Sequence, residues 1–195
     1  MFSTRFARIA RRARGDRAKE PLAPEVGGGK LAAADRPQDL RHRFEEKDLP
    51  SAYMRAVYGY WCDSRSEGGL PPVGSIDPTR LPRACLPFIA LLDVEASPLR
   101  FRTRLTGTGV VEALGIDHSG LYLDDIPGMT EQIKRIAWCA RERRPYLSDA
   151  PVSFAPNDYK HYTVLTLPFG DAARGVERIM FVFDFHEGEA SGGSG

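Results

Sequence analysis

The sequence predicts an α+β domain built on a five-stranded antiparallel sheet, with helices on one face and a further helix ahead of the first strand. Four observations predict it. Residues 89–94 are a short apolar run. Residues 99–105 alternate strictly, with Leu99, Phe101, Thr103 and Leu105 on one side and Arg100, Arg102 and Arg104 on the other. The stretch between these runs is short enough to be a hairpin turn, which makes the pair antiparallel. Two apolar stripes at helical spacing, one before the hairpin and one after it, lead on to three further strand-like runs.

In chain order, the first helix begins after Asp48 or Ser51, either of which can cap it. Tyr53, Val57 and Trp61 repeat at helical spacing until Gly68 and Gly69 end it. Prolines 71, 72, 78, 82 and 87 then enforce an extended connection with short turns. Beyond the hairpin, Gly107-Thr108-Gly109 breaks the strand, and residues 110–114 form a helical turn stopped by Gly115. Thr130 can cap a longer helix with Met129, Ile133, Ile136, Ala137 and Ala140 on one stripe. Glu131 at its start and Arg141, Arg143 and Arg144 at its end complement the helix dipole, and Pro145 stops it. Strands are expected near 149–155, 160–168 and 177–186, turned by Asn157-Asp158 and by residues 170–175.

The ends differ from the middle. Residues 1–19 carry seven basic groups and one acid, although the 195-residue chain balances 27 Lys+Arg against 26 Asp+Glu for a net charge of +1. That near-neutral total excludes a general polyanion binder. If the head is helical, Phe2, Phe6, Ile9 and Ala13 share one stripe, a pattern that could lie on an anionic membrane or touch nucleic acid. The alternative is a solvated, disordered tail. Residues 1–47 therefore read as a basic tail and linker, 48–188 as the domain, and 189–195 as a flexible Gly/Ser tail. Nothing approaches a membrane span. Three cysteines without a close pair exclude a disulfide framework and fit a cytoplasmic protein, peripheral to the membrane if its head attaches there.

Several local motifs recur as an ordered set: Tyr60-Trp61, Arg65, Gly68-Gly69, Ile76-Asp77-Pro78, Leu86-Pro87, Leu91-Leu92-Asp93-Val94, Phe101-Arg102, Arg104-Leu105, Gly107-Thr108, and Gly115, Asp117 and Gly120. In this order and spacing, residues 50–186 resemble the bacterial family of single-domain PAS-like proteins. The resemblance implies a sensory or interaction module acting in signal transduction, with Asp93, Gly107, Thr108, Gly115 and Gly120 as structural positions. It implies no particular ligand. PAS haem sensors take their axial ligand near the long helix, where residues 130–144 hold no histidine, and the flavin-adduct class needs an Asn-Cys-Arg context that is missing. Neither cofactor is expected, which leaves an unspecified small ligand.

Catalytic signals are weak. The glycines at 107 and 109 invite a dinucleotide fingerprint, but the third position is Glu112, whose charge would repel a pyrophosphate. No Ser or Cys stands in a nucleophile motif with a histidine, and His42, His118, His161 and His186 lack metal-ligand spacing. Asp124-Asp125 reads as helix-entry chemistry. Cys62, Cys85 and Cys139 read as small buried hydrophobes. A hydrolytic role would need His161, His118 and Asp124 to converge, so the protein is expected not to be an enzyme.

If a ligand enters between sheet and helices, the expected lining is Phe101, Thr103, Leu105, Ile133, Ala137, Thr163, Leu165, Phe181 and Phe183. Close packing of the same residues is the commoner outcome for such interiors. A protein partner, or a second copy of the chain, would meet Trp61, Arg65, the arginine row 100, 102 and 104, and Trp138. The wheel position of Trp138 places it away from the apolar stripe. On this reading Trp61 and Tyr58 cover the arginine row, with Asp93 and Asp184 as acidic partners. A second reading is a scaffold tethered to membrane or nucleoid by the basic head.

Overall fold

The architecture is taken from a computed structural model, which describes residues 40–65, 69–151 and 160–187. The basic head at 1–19, the 157–158 turn and the Gly/Ser tail lie outside the described residues. Among the described residues there are three α-helices, α1 (Ala52–Asp63), α2 (Thr108–Leu114) and α3 (Thr130–Glu142), besides short 3-10 turns. Five strands accompany them: β1 (Ile89–Ala96), β2 (Leu99–Thr106), β3 (Tyr146–Pro151), β4 (Lys160–Asp171) and β5 (Gly175–Glu187). The strands form one antiparallel sheet in the order β2-β1-β5-β4-β3. The predicted α+β class is the observed one. No helix among the described residues is long and apolar enough to cross a membrane.

The helices do not stay on one face. α2 and α3, inserted between β2 and β3, cover the face that carries Ala90, Leu92, Phe101, Val164, Phe181 and Phe183. α1 covers the other, burying Met54, Val57 and Trp61 against Leu147, Leu165, Leu167, Met180 and Val182. Each of these large apolar side chains stabilises the fold by about 1.5–3 kcal/mol on full burial. A sheet apolar on both faces needs both covered, and the central strand β5 alternates Phe181 and Phe183 with Met180 and Val182 to meet that need. Ser51 caps α1 as expected, accepting a hydrogen bond from the Met54 N–H.

The turn into α2 needs its small residues. A Cβ on Gly107 would lie 2.3 Å from the Pro87 carbonyl oxygen, which accounts for a glycine where strand meets helix. Gly115 closes α2 in the left-handed conformation at φ 75°, as its position predicts. Met129, not Thr130, is the cap residue of α3.

Order begins earlier than residue 48. The Arg41 N–H donates to the Leu147 carbonyl at 2.9 Å and the Leu147 N–H donates back at 2.8 Å, so residues near 41 line the outer edge of β3. On the opposite edge, Thr103 pairs with Leu121 and Gly120 in the same way. Each sheet edge is thereby covered at one point by an isolated bridge, which shortens the row of unpaired backbone groups there.

Trp138 is buried, not exposed. Four consecutive residues of α3, 136–139, are buried, because Leu40 joins the same core and His42 meets the Trp138 ring edge-on at 5.6 Å. A helical wheel treats a helix as covered on one side only; here residues 40–42 cover a second side. Cys85 and Cys139 are buried as expected, whereas Cys62 is exposed.

Candidate functional site

Three regions could carry recognition: the interior between sheet and α3, the arginine row on β2, and a cleft at the exit of α1. The first is close-packed. Phe101, Phe181, Phe183 and Ala137 are buried there, with Ile133 packed against them. Phe183 and Phe185 stack at 5.7 Å, and Tyr162 packs on both. Thr103, buried opposite Leu92, faces the same side, whereas Thr163, Leu165 and Leu105 do not. Thr163 lies opposite Asp184, and Leu165 opposite Val182, both on the α1 face. Thr163 donates its hydroxyl hydrogen to Asp149 at 2.6 Å. Leu105 is displaced by a register shift: Leu92 pairs with Thr103 but Leu91 with Leu105, so Arg104 is the extra residue. Leu105 therefore follows Leu91 to the α1 face, where it is 48% exposed.

The arginine row is self-satisfied and bare of tryptophan. Arg100 makes a bidentate pair with Asp124 at 2.9 and 3.0 Å and lies 3.8 Å from the Tyr122 ring centroid. Arg102 donates to the Gly120 carbonyl, and Arg104 reaches Asp93 at 3.4 Å. Asp93 also holds Arg178 at 2.8 Å, while Asp184 accepts from the Tyr53 hydroxyl instead. Asp124 and Asp125 stand in the first turn of a short 3-10 helix, Leu123–Asp125, as a helix-entry pair would, and also serve Arg100. Trp61 and Tyr58 do not cover this row. Trp61 lies on the same face but three strands along, buried beneath α1 and donating its indole N–H to the Pro168 carbonyl of β4 at 2.9 Å.

The cleft is built from parts the sequence keeps apart. Anchored Trp61 stacks on Tyr58 at 6.1 Å, and Tyr58 meets Phe44 at 5.2 Å. The Arg41–Leu147 pairing brings residues 42–44 alongside this aromatic group. Just past α1, Arg65 lays its guanidinium 5.0 Å over the Trp61 ring and donates Nε–H to the Gly69 carbonyl. From the other side, the link between α3 and β3 contributes Arg143, Arg144 and Pro145. Together these residues enclose about 340 Å³, lined by His42, Arg43, Phe44, Tyr58, Trp61, Arg65, Arg143, Arg144 and Pro145.

The electrostatics are one-sided. Four guanidiniums line the space, and none has a carboxylate within 4 Å among the described residues. Burial raises the Tyr58 phenol, and also the Cys62 thiol near it, so neither supplies negative charge at neutral pH. Arg143 closes α3 at φ 55°, the one positive-φ residue other than glycine among those described, and its Nη1 donates to the Ala172 carbonyl at 3.2 Å. A left-handed arginine costs about 1–2 kcal/mol that glycine would avoid. Strain of this kind persists where a particular side chain is required.

Of the residues expected to meet partners, Arg65 stands in this cleft and exposed, while Trp61 is its buried floor. Sequence reasoning missed His42, Arg43, Arg143 and Arg144. The histidines do not converge with Asp124: His118 belongs to the stretch along β2, and His161 sits on β4, three strand spacings of about 4.8 Å away. His161 instead lies near His186, with ring centroids 6.4 Å apart. No cluster of three or more His, Cys, Asp or Glu side chains suited to a metal ion occurs among the described residues. Compared with protein-family models, with curated proteins and with solved structures, the chain finds no match.

Proposed function

We propose that this protein is a PAS-like sensory or adaptor module, that it recognises a small anionic ligand, and that the ligand sits in the arginine-lined cleft outside α1, not between sheet and α3. The observation that carries this reading is the gathering of four arginines from three separate segments around one space without a carboxylate partner among the described residues. Like charges gathered around one space repel, and an anion placed among them relieves that repulsion. The strand order β2-β1-β5-β4-β3, with helices inserted between the second and third strands, agrees with the resemblance carried by residues 50–186.

The frame suggests how occupancy would be relayed. Arg143 links the cleft to the turn between β4 and β5 through Ala172, and residues 42–44 link it to the edge of β3. A ligand that recruits Arg143 shifts the population of that turn and of any surface a signalling partner reads there. Both tryptophans of the chain report on the site, since Trp61 lines it and Trp138 touches His42. A thermal-shift and tryptophan-emission screen of small anions at fixed ionic strength tests the reading. At least one anion should raise the unfolding midpoint and alter emission. A flat response to every anion contradicts it.

A further inference from the structure

We infer that the cleft is built for a compact polyphosphate group, the diphosphate or triphosphate chain of a small molecule. This rests on the recognition reading above and narrows its ligand class. Charge is the first argument. Four permanent cations are left three in excess by a monoanion, whereas a diphosphate or triphosphate comes close to neutralising them.

Residue type is the second. All four cations are arginine and none is lysine, and the guanidinium fork matches two phosphate oxygens at once where an ammonium acts as a point charge. Arrangement is the third. Arg43 precedes α1, Arg65 follows it, and Arg143 and Arg144 follow α3, so arginines from three segments of the chain line one compact space. A volume of about 340 Å³ exceeds what a lone phosphate ion fills and falls at the lower end of small-molecule pockets. Phe44 and Tyr58 offer ring surface to the organic part of such a ligand. The left-handed Arg143 stands beside these arguments: at a helix end where glycine is the relaxed choice, this chain places an arginine on the cleft wall, its Nη1 tied to the Ala172 carbonyl.

Isothermal titration of the full-length chain with inorganic pyrophosphate and tripolyphosphate, beside orthophosphate, sulfate and citrate at matched ionic strength, tests the inference. Pyrophosphate and tripolyphosphate should bind at least ten times more tightly than the other three. The double variant Arg65→Gln, Arg144→Gln should lose at least tenfold affinity while still unfolding cooperatively, its midpoint lowered only by the lost Arg65 contacts to Trp61 and Gly69. Arg65→Lys with Arg144→Lys, which keeps the charge and removes the forks, should lose most of the same preference and so guards against a trivial folding defect. Citrate binding as tightly as pyrophosphate, with the same dependence on Arg65 and Arg144, overturns the phosphate inference and leaves the anion cleft standing. Absence of binding by all five anions overturns both. Tight pyrophosphate binding untouched by either double variant places the phosphate elsewhere and also overturns the inference.

Discussion

The interior between the sheet and α3 and the cleft outside α1 are opposite solutions to the use of aromatic side chains. In the interior, Phe181, Phe183, Phe185 and Tyr162 pack on one another and on an alanine-bearing helix face, and apolar surface fills the space. In the cleft, Phe44, Tyr58 and Trp61 form a wall whose other side is left to guanidiniums and solvent. The difference teaches that aromatic content does not by itself mark a binding site. What marks one here is four arginines gathered without a carboxylate partner among the described residues, whereas Arg100 pairs with Asp124, Arg104 and Arg178 with Asp93, and Arg174 with Asp171.

The largest expected effect separates the regions by stability. Phe181→Ala should cost about 3–5 kcal/mol by cavity formation, read as a fall in denaturant midpoint, with pyrophosphate affinity changed less than about twofold. A large loss of affinity in that variant would mean that the interior holds the ligand. Next in size, Arg143→Gly should run the other way. Relief of the left-handed arginine should stabilise the fold by about 1 kcal/mol while anion affinity drops, and a midpoint that falls instead would remove the strain argument. The smallest effect belongs to neither region. Burial holds His118 below the ordinary histidine range, so the unfolded chain binds the extra proton first as pH falls. Stability should therefore decline as pH drops below about 6.5, and His118→Gln should flatten that part of the profile without moving anion affinity at neutral pH. An unaltered profile would show that His118 titrates freely.

Strands and helices were legible because their signals are local. Alternation over 99–105, the glycines at 107 and 115 and the serine cap at 51 each act within a few residues. Which face a strand presents was less legible. Phe183 pairs with Val164, which sends Thr163 and Leu165 to the other side, and that parity depends on how β4 meets β5 across their turn. One extra residue at Arg104 likewise sent Leu105 outward. Trp138 misled because its second cover, Leu40 and His42, comes from some hundred residues upstream, in a stretch whose prolines and charges read as linker.

The cleft was hidden for a related reason. Arg143 and Arg144 have a sufficient local explanation at a helix C-terminus, Arg43 sits in a mixed-charge run, and Arg65 follows a helix; only the fold brings them together. The one sequence sign was the density of arginine around 41–43 and 141–144, two clusters that β3 pairing and the end of α3 place side by side.

The central claim is that recognition takes place among the arginines outside α1. Amide and indole chemical shifts followed during a pyrophosphate titration address it most directly. The account predicts shifts concentrated at residues 42–44, 58–65 and 143–145, with the Trp61 indole N–H among them and Phe181 and Phe183 unmoved. Shifts confined to 133–140 and to the phenylalanines of β5 would contradict it.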